Sequence, residues 1–260
     1  MSDSSIPNHS KVTDEAGLRT VYPKVSKPIR DKAIDYLDDF ALKFIALSPF
    51  FCVGTSRPDS LADVSPRGGD PGFVHALGAK QLAFPDRPGN NRLDTLTNIM
   101  HAPAVGLLFF VPGIDETLRI NGTATVSVHD SLMNRFVVDG KRPRSVIVVD
   151  VVEVYLHCSK ALKRSDLWNP EKRVARNRLP TWGEMLRNQG RAFVPAKLID
   201  FVIGQDAKRN LYCPAQLHRQ RDAVFHLTES EARLDGGDAV ETRQLGFDEV
   251  FIRRQVCGDD

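Results

Sequence analysis

Apolar positions near the start of the chain recur at spacings of three and four residues, which is the period of one buried helix face. Seven residues share this pattern: Ala33, Ile34, Leu37, Phe40, Ala41, Phe44 and Ile45. Pro49 follows them, and proline restricts the residue before it and cannot donate a backbone hydrogen bond. The pattern therefore predicts an amphipathic helix that starts near residue 33 and ends before Pro49.

Further along, the pattern changes to short runs of apolar and β-branched residues separated by glycine and proline. A helical period interrupts these runs over residues 93–100. Strands that follow one another directly favour antiparallel pairing, so we expect about six strands in one antiparallel barrel with a short helix inserted. The main runs cover residues 50–56, 73–77, 81–85, 105–111, 117–128 and 145–155, and a shorter segment, residues 63–65, follows the first of them.

The pattern also divides the chain into three parts. Residues 1–30 are polar and contain three prolines, which is typical of an N-terminal arm. Residues 31–190 hold the strands and are expected to form one domain. Residues 191–260 are expected to be an extension of helices and strands that packs on the barrel. The elements predicted toward this end are a helix with capping-box spacing from Thr181, a helix after Pro195, a turn at residues 235–238 and a strand over residues 250–252.

Composition places the chain among ordinary globular proteins. Of its 260 residues 42% are hydrophobic and 26% are charged, which is enough for a sizeable core. The net charge of +2 gives no reason to expect a nucleic-acid partner. The four cysteines form no C-x-x-C pair, so neither a zinc site nor a disulfide framework is predicted. The polar N-terminus lacks a signal-peptide core and no apolar run is long enough to span a bilayer, so we expect a cytoplasmic protein without a membrane partner.

The strongest candidate for a ligand site is a loop that leads from a predicted strand into a predicted helix. A helix N-terminus offers free N–H groups and partial positive charge to a phosphate. Arginines add bidentate hydrogen bonds, and asparagines tolerate left-handed backbone. The loop alone leaves one alternative open, namely a capped surface helix with two solvated arginines. The candidate residues are Pro85, Arg87, Asn90, Asn91 and Arg92.

A second candidate segment lies at the end of the predicted strand around residue 65. Ser65, Arg67 and Gly68 place a hydroxyl group and an arginine beside a glycine-rich turn. Pro66 cannot donate to a sheet ladder, so this segment is predicted to be a sheet edge or a bulge. An open edge suits contact with a planar heterocycle, and the alternative is a hairpin with polar decoration.

Two further pairs of residues complete the candidate set. Thr117 and Arg119 share one face of a predicted strand, which either faces solvent or lines a site. Lys160 and Arg164 share a helix face if their segment is helical. Residues 160–178 carry seven basic residues against two acidic ones, so RNA binding is an alternative, but a solvated helix beside an anionic cofactor is the preferred interpretation.

Other chemistries have no support in the sequence. The seven histidines are dispersed and no H-E-x-x-H motif occurs, so no metal site is predicted. The chain also lacks a G-x-S-x-G nucleophile elbow and the glycine patterns of Walker and Rossmann nucleotide sites. No catalytic side chain is predicted on this basis.

Eight short motifs occur in order along residues 30–190. They are Ser-Pro-Phe (48–50), Asp-Val-Ser-Pro-Arg-Gly (63–68), Pro-Gly-Phe-Val (71–74), Pro-Asp-Arg-Pro-Gly-Asn-Asn-Arg (85–92), Asn-Ile (98–99), Pro-Gly (112–113), Thr-Leu-Arg-Ile-Asn-Gly (117–122), and Cys-Ser-Lys-Ala (158–161) with Arg164 and Trp168. Together they resemble the pyridoxamine 5′-phosphate oxidase-like superfamily of FMN-binding split barrels. The resemblance is greatest to a branch of bacterial proteins described as FMN-dependent enzymes.

This resemblance implies a mainly β fold with flanking helices, namely a six-stranded antiparallel split β-barrel. It also implies a homodimer with FMN at the subunit interface. In the family, the position of Arg67 meets the flavin and its phosphate, and the positions of Asn91 and Arg92 lie at the phosphate. The cofactor-binding residues that the resemblance implies are Ser65, Arg67, Gly68, Pro85, Arg87, Asn90, Asn91, Arg92, Thr117, Arg119, Lys160 and Arg164.

The function implied is that of an FMN-dependent oxidoreductase, which moves a hydride or electrons through the flavin by a ping-pong reaction with a small organic substrate. The alternatives are a flavin- or haem-binding protein without turnover and an F420-dependent reductase. The chain departs from the phosphate oxidase proper around Arg67 and at the C-terminus, so pyridoxamine phosphate is not the expected substrate. Arg92→Ala is expected to lower FMN affinity by about 1.5–3 kcal/mol, the range for a charge-assisted hydrogen bond.

Overall fold

The computed structural model describes residues 11–59, 61–89, 91–190, 194–209 and 212. Its strands are β1 (Phe50–Ser56), β2 (Ala62–Gly68), β3 (His75–Gly78), β4 (Gln81–Asp86), β5 (Ala104–Phe110), β6 (Thr117–Ser127) and β7 (Ser145–His157). Its α-helices are α1 (Glu15–Val21), α2 (Lys27–Arg30), α3 (Asp39–Leu47), α4 (Asp94–His101), α5 (Asp130–Asn134), α6 (Lys160–Ser165), α7 (Trp182–Gly190) and α8 (Ala196–Arg209).

The strands form one antiparallel sheet in the order β2-β1-β5-β6-β7-β4-β3. The expected antiparallel β architecture with flanking helices is confirmed. The sheet has seven strands rather than about six and is open, with β2 and β3 as its two edges. β3 spans only four residues and pairs with β4 alone. Pro66 lies in the edge strand β2, as the missing N–H of proline requires.

The open sheet curls around a core of aromatic and aliphatic side chains. Phe51 on β1 stacks on Phe109 of the neighbouring β5, with ring centroids 4.7 Å apart. The same ring makes an edge contact with Phe84 on β4, at 4.9 Å, although β5, β6 and β7 lie between β1 and β4 in the sheet order. All three rings are fully buried. This curvature brings the two ends of the sheet together, so β2 and β4 face each other.

The first predicted helix is shorter than its apolar period indicates. α3 starts at Asp39 because the Asp38 side chain accepts a hydrogen bond from the backbone N–H of Ala41, at 2.8 Å, and so caps the helix. Ile34 instead exchanges backbone hydrogen bonds with Val154 of β7. The prediction of helix over residues 33–38 was therefore wrong, because pairing with a strand distant in sequence replaced the first predicted turns.

The C-terminal helices agree with their sequence signals. The backbone N–H of Thr181 donates to the Glu184 side chain at 2.7 Å, and the N–H of Glu184 donates to the Thr181 hydroxyl at 3.1 Å, which is the predicted capping box. α8 follows Pro195 and packs against α7 through a small apolar cluster that includes Val194 and Ile199.

Two further sequence predictions concern the ends of the chain. α1 and α2 lie within the predicted arm and contain no buried residue. The turn predicted at residues 235–238 and the strand at 250–252 lie outside the described residues. The boundaries at residues 30 and 190 stay predictions. Within the described part of the chain, no helix has both the length and the apolar character that crossing a membrane requires.

Candidate anion-binding site

A pocket of about 200 Å³ opens where the curled sheet brings β2 and β4 beside the start of α4. β2 contributes residues from its inward face, β4 contributes its last residue, and the loop after β4 forms the rim. The lining residues are Ser65, Arg67, Asp86, Arg87, Pro88, Gly89, Asn91, Arg92, Leu93, Asp94, Thr95, Leu96 and Arg144.

The charges that line the pocket favour an anion. Four arginines and two aspartates leave a formal net charge of +2. Partly buried cations attract an anion more strongly than solvated ones, because less water screens them. The pocket therefore has the charge to bind a dianion such as a phosphate monoester.

Arg67 lies deepest among the candidate arginines. It pairs across the ladder with Phe51, so its side chain leaves β2 toward the core and not toward solvent. Its side chain is 20% exposed, and its Nε is buried without a hydrogen-bond partner among the described residues. Burial lowers the pKa of the Arg67 guanidinium, and the Asp86 and Asp63 carboxylates oppose that shift. A guanidinium stays charged even so, which leaves an unused donor beside the pocket.

The backbone at the pocket rim adopts two left-handed residues in close succession. Asn91 has φ 52°, which asparagine tolerates, and Leu93 has φ 59°, which costs a residue of its kind of order 1–3 kcal/mol. Leu93 is the N-cap of α4 and supplies no side-chain cap, so the first N–H groups of this helix have no capping side chain. Strained backbone of this kind is common at ligand sites.

Side chains hold the start of α4 against the sheet. Thr95 is buried and its hydroxyl donates to the hydroxyl of Ser65 on β2, at 3.0 Å. One turn later, Asn98 Nδ2 donates to Thr55 Oγ1 on β1, at 2.9 Å, and Asn98 is also buried. These two contacts fix the helix N-terminus relative to β2, and they place its N–H groups at the pocket.

Two other arginines reach the rim from different directions. Arg87 donates to the backbone carbonyl of Phe136 at 2.7 Å, and its guanidinium lies 5.0 Å from the centre of the Tyr212 ring. Arg144 donates to Asn91 Oδ1 at 2.7 Å and thereby holds the loop from outside. The amide Nδ2 of Asn91 is buried without a partner among the described residues, so this amide retains an unused donor.

Arg92 differs from the other arginines in its exposure. Its side chain is 69% exposed, and its Nε donates to Asp94 Oδ2 at 2.8 Å. The hydrogen bond to Asp94 raises the pKa of Arg92. An exposed ion pair of this kind contributes little to stability, and the role of Arg92 at the site stays a prediction.

The structure brings five of the twelve candidate residues into the pocket, namely Ser65, Arg67, Arg87, Asn91 and Arg92. Pro85 is buried in β4 directly before the pocket residue Asp86, and Gly68 ends β2 beyond Arg67, so neither lines it. Asn90 lies outside the described residues.

The remaining four candidates lie outside the pocket of a single chain. Thr117 and Arg119 belong to β6, which is the third strand from β2 in the sheet order. The Arg119 guanidinium lies 5.4 Å from the centre of the Tyr155 ring. Lys160 and Arg164 lie on the helix α6, so they meet the condition for sharing a helix face, and both are exposed. The structure therefore separates a pocket group from a group on β6 and α6.

Several pocket residues were missed from the sequence. Asp86 lies inside the recognised motif but was not among the candidates, and Thr95 follows the motif. Alternation along β4 indicates which way Asp86 faces once the core residues Leu82 and Phe84 are assigned. Arg144 lies more than fifty residues from Asn91 along the chain and reaches it only because β7 pairs with β4. No local pattern signals that contact.

A family model described as pyridoxamine 5′-phosphate oxidase matches residues 37–158, which include α3, all seven strands and every residue that lines the pocket. No protein of curated function matches the chain.

Solved structures of low sequence identity are also similar. HupZ from Group A Streptococcus matches with 14% identity and a TM-score of 0.36, over 44% of this chain and 88% of HupZ. The conserved protein Rv2991 of Mycobacterium tuberculosis matches with 13% identity and a TM-score of 0.37, over 58% of this chain and 98% of its own. A pyridoxamine 5′-phosphate oxidase-related, FMN-binding protein of Nostoc punctiforme matches with 13% identity and a TM-score of 0.30, over 43% of this chain and 75% of its own.

Proposed function

Residues 37–158 belong to the pyridoxamine 5′-phosphate oxidase-like family, and from this premise we propose that the chain is an FMN-dependent oxidoreductase. In this proposal, the pocket between β2, β4 and α4 binds the FMN phosphate. The flavin then exchanges a hydride or electrons with a small organic substrate in a ping-pong reaction. The observation that carries the proposal is the pocket, with four arginines and unused donors on Arg67 and Asn91.

A phosphate monoester fits the donors that the pocket residues leave unused. It carries a charge of about −1.5 to −2 at neutral pH, which complements the formal charge of +2. Its oxygens accept several hydrogen bonds at once. Arg67 Nε and Asn91 Nδ2 are donors without a described partner, and the first N–H groups of α4 have no capping side chain. Pairing these donors also recovers the cost of burying them and of straining the rim.

The redox chemistry in this proposal comes from the bound flavin, and the protein binds and orients it. Ser65 and Thr95 tie β2 to α4 at 3.0 Å and keep Arg67 opposite the helix N-terminus. We assign no acid or base to the reaction. We propose that Thr117, Arg119, Lys160 and Arg164 contact the cofactor or the substrate in the assembled protein.

A homodimer is part of the same proposal, because the second candidate group lies outside the pocket of one chain. The outward faces of β1 and β5 carry a contiguous apolar pair, with the rings of Phe50 and Phe110 6.1 Å apart, and Phe50 is 40% exposed. We propose that the partner chain packs on these two rings. A cytoplasmic location stays a prediction.

The experiment that tests the cofactor uses the full chain purified without added ligand. We expect yellow protein, or colourless protein that takes up FMN with a saturable change in flavin fluorescence. Haem and F420 are titrated in parallel. Tight binding of either one together with no response to FMN would replace the flavin proposal by the corresponding alternative.

The experiment that tests turnover follows the oxidised flavin absorption without oxygen. We expect a reduced nicotinamide or another donor to bleach the bound flavin, and a second, oxidising substrate to restore it in a separate half-reaction. FMN that binds tightly but is neither reduced nor reoxidised by any substrate in a broad screen would indicate a flavin-binding protein without turnover.

A further inference from the structure

Asp86 is a carboxylate inside a pocket that otherwise suits an anion. It ends β4 and lines the pocket together with Arg67 and Arg144, and its side chain is only 18% exposed. Burial raises the pKa of Asp86, and Arg67 and Arg144 act in the opposite direction. A carboxylate repels a bound phosphate, so a pocket for phosphate alone gains nothing from this residue.

The contact between Asp86 and Arg67 is looser than the other arginine–aspartate pairs of this chain. Arg67 Nη2 and Asp86 Oδ1 are 4.0 Å apart. The corresponding distances are 2.8 Å for Arg92–Asp94, 2.7 Å for Arg57–Asp59 and 2.6 Å for Arg142–Asp130. The donor–acceptor distance in a charge-assisted hydrogen bond is about 2.7–2.9 Å, so Asp86 does not form a direct hydrogen bond with Arg67. Both groups face the space that a ligand of the pocket would occupy.

We propose that Asp86 accepts a hydrogen bond from a hydroxyl group next to the phosphate ester of the ligand, and so selects a polyol phosphate over a bare phosphate. A hydroxyl donor repays the burial of the carboxylate, while the remaining charge of +2 still attracts the phosphate. This inference rests on the proposed function, because the ribityl phosphate of FMN is such a polyol phosphate. Asp86 is then a specificity-determining residue of the site.

The first test uses the variant Asp86→Ala, which has neither the hydrogen-bond acceptor nor the charge, and measures its affinity for FMN and for inorganic phosphate at constant pH. Loss of the carboxylate acceptor is expected to weaken FMN binding about tenfold or more. The same change removes a negative charge from the pocket, so inorganic phosphate is expected to bind more tightly. Asp130→Ala, which removes an exposed carboxylate outside the pocket, is the matched control and should change neither affinity. Unchanged FMN affinity, or a parallel weakening of both ligands, would overturn the proposal.

The second test needs no variant and separates this inference from the proposed function. Ribitol 5-phosphate and n-pentyl phosphate have the same charge and differ in their hydroxyl groups. The wild-type chain is expected to prefer ribitol 5-phosphate about tenfold, and equal affinities would refute the role of Asp86. If the chain discriminates between these two ligands but does not bind FMN, the flavin function fails while the role of Asp86 stands.

Discussion

Replacement of Arg67 by alanine is the sharpest test of how the pocket binds phosphate. Arg67 is 20% exposed and its Nε has no described partner, so a bound phosphate supplies a hydrogen bond that the free protein lacks. A charge-assisted hydrogen bond contributes about 1.5–3 kcal/mol, which corresponds to about a ten- to 150-fold loss of FMN affinity at 1.36 kcal/mol per factor of ten.

Arg92 provides the comparison within the same loop. Its side chain is 69% exposed and already bonded to Asp94, and an exposed ion pair contributes at most about 1 kcal/mol, or about a fivefold change in affinity. The sequence alone predicted a loss of about 1.5–3 kcal/mol for Arg92→Ala, and the exposure of Arg92 in the structure favours a smaller loss. We therefore expect Arg67→Ala to weaken FMN binding much more than Arg92→Ala does.

The assay is a fluorescence titration of each variant with FMN and with riboflavin, which lacks the phosphate. Arg67→Ala should change FMN affinity and leave riboflavin affinity nearly constant. Arg67→Lys, which keeps the charge but not the planar fork, should lie between wild type and Arg67→Ala. Equal losses for FMN and riboflavin, or a larger loss for Arg92→Ala than for Arg67→Ala, would refute the assignment of the phosphate to Arg67.

Three further predictions follow from contacts around the pocket and in the sheet. Tyr212→Ala should increase protease cleavage after α8 and Tyr212→Phe should not, because only alanine removes the ring that contacts the Arg87 guanidinium. Identical cleavage patterns for the two variants would contradict the contact. Gly122→Ala should destabilise the protein by about 1–3 kcal/mol in chemical denaturation, because an added Cβ would overlap the backbone carbonyl of Asp150 on the facing strand. The control Gly78→Ala places its Cβ in open space and should be nearly neutral. Because burial raises the pKa of Asp86, the folded state binds the Asp86 proton more tightly than the unfolded state, and the contribution of Asp86 to stability should fall as the pH rises from 3.8 through the raised pKa. Asp86→Asn should therefore show a shallower fall in melting temperature over this pH range, and equal slopes would contradict the shift.

Local signals predicted the elements whose causes are local. The capping pair Thr181 and Glu184 marked the start of α7, and both expected hydrogen bonds are present. Pro66 predicted an edge or a bulge, and β2 is the edge of the sheet. In each case the structure is determined by residues close together in sequence or by the chemistry of a single residue, so a local pattern is enough to predict it.

Contacts between distant segments could not be predicted in the same way. The apolar period over residues 33–45 indicated one helix, but Ile34 pairs with Val154 of β7 and the helix begins only at Asp39. Arg144 reaches Asn91 only through the β4–β7 ladder, and the opposition of Arg67 and Asp86 depends on the curvature of the whole sheet. These contacts depend on register and curvature, which periodicity along the chain does not encode.

The most direct measurement of the central claim is calorimetric titration of the full wild-type chain with FMN and with riboflavin. If the pocket binds the phosphate through at least two charge-assisted hydrogen bonds, FMN should bind at least about 100-fold more tightly than riboflavin. Equal affinities for the two flavins, or no binding of FMN at all, would contradict the assignment of this pocket to the FMN phosphate.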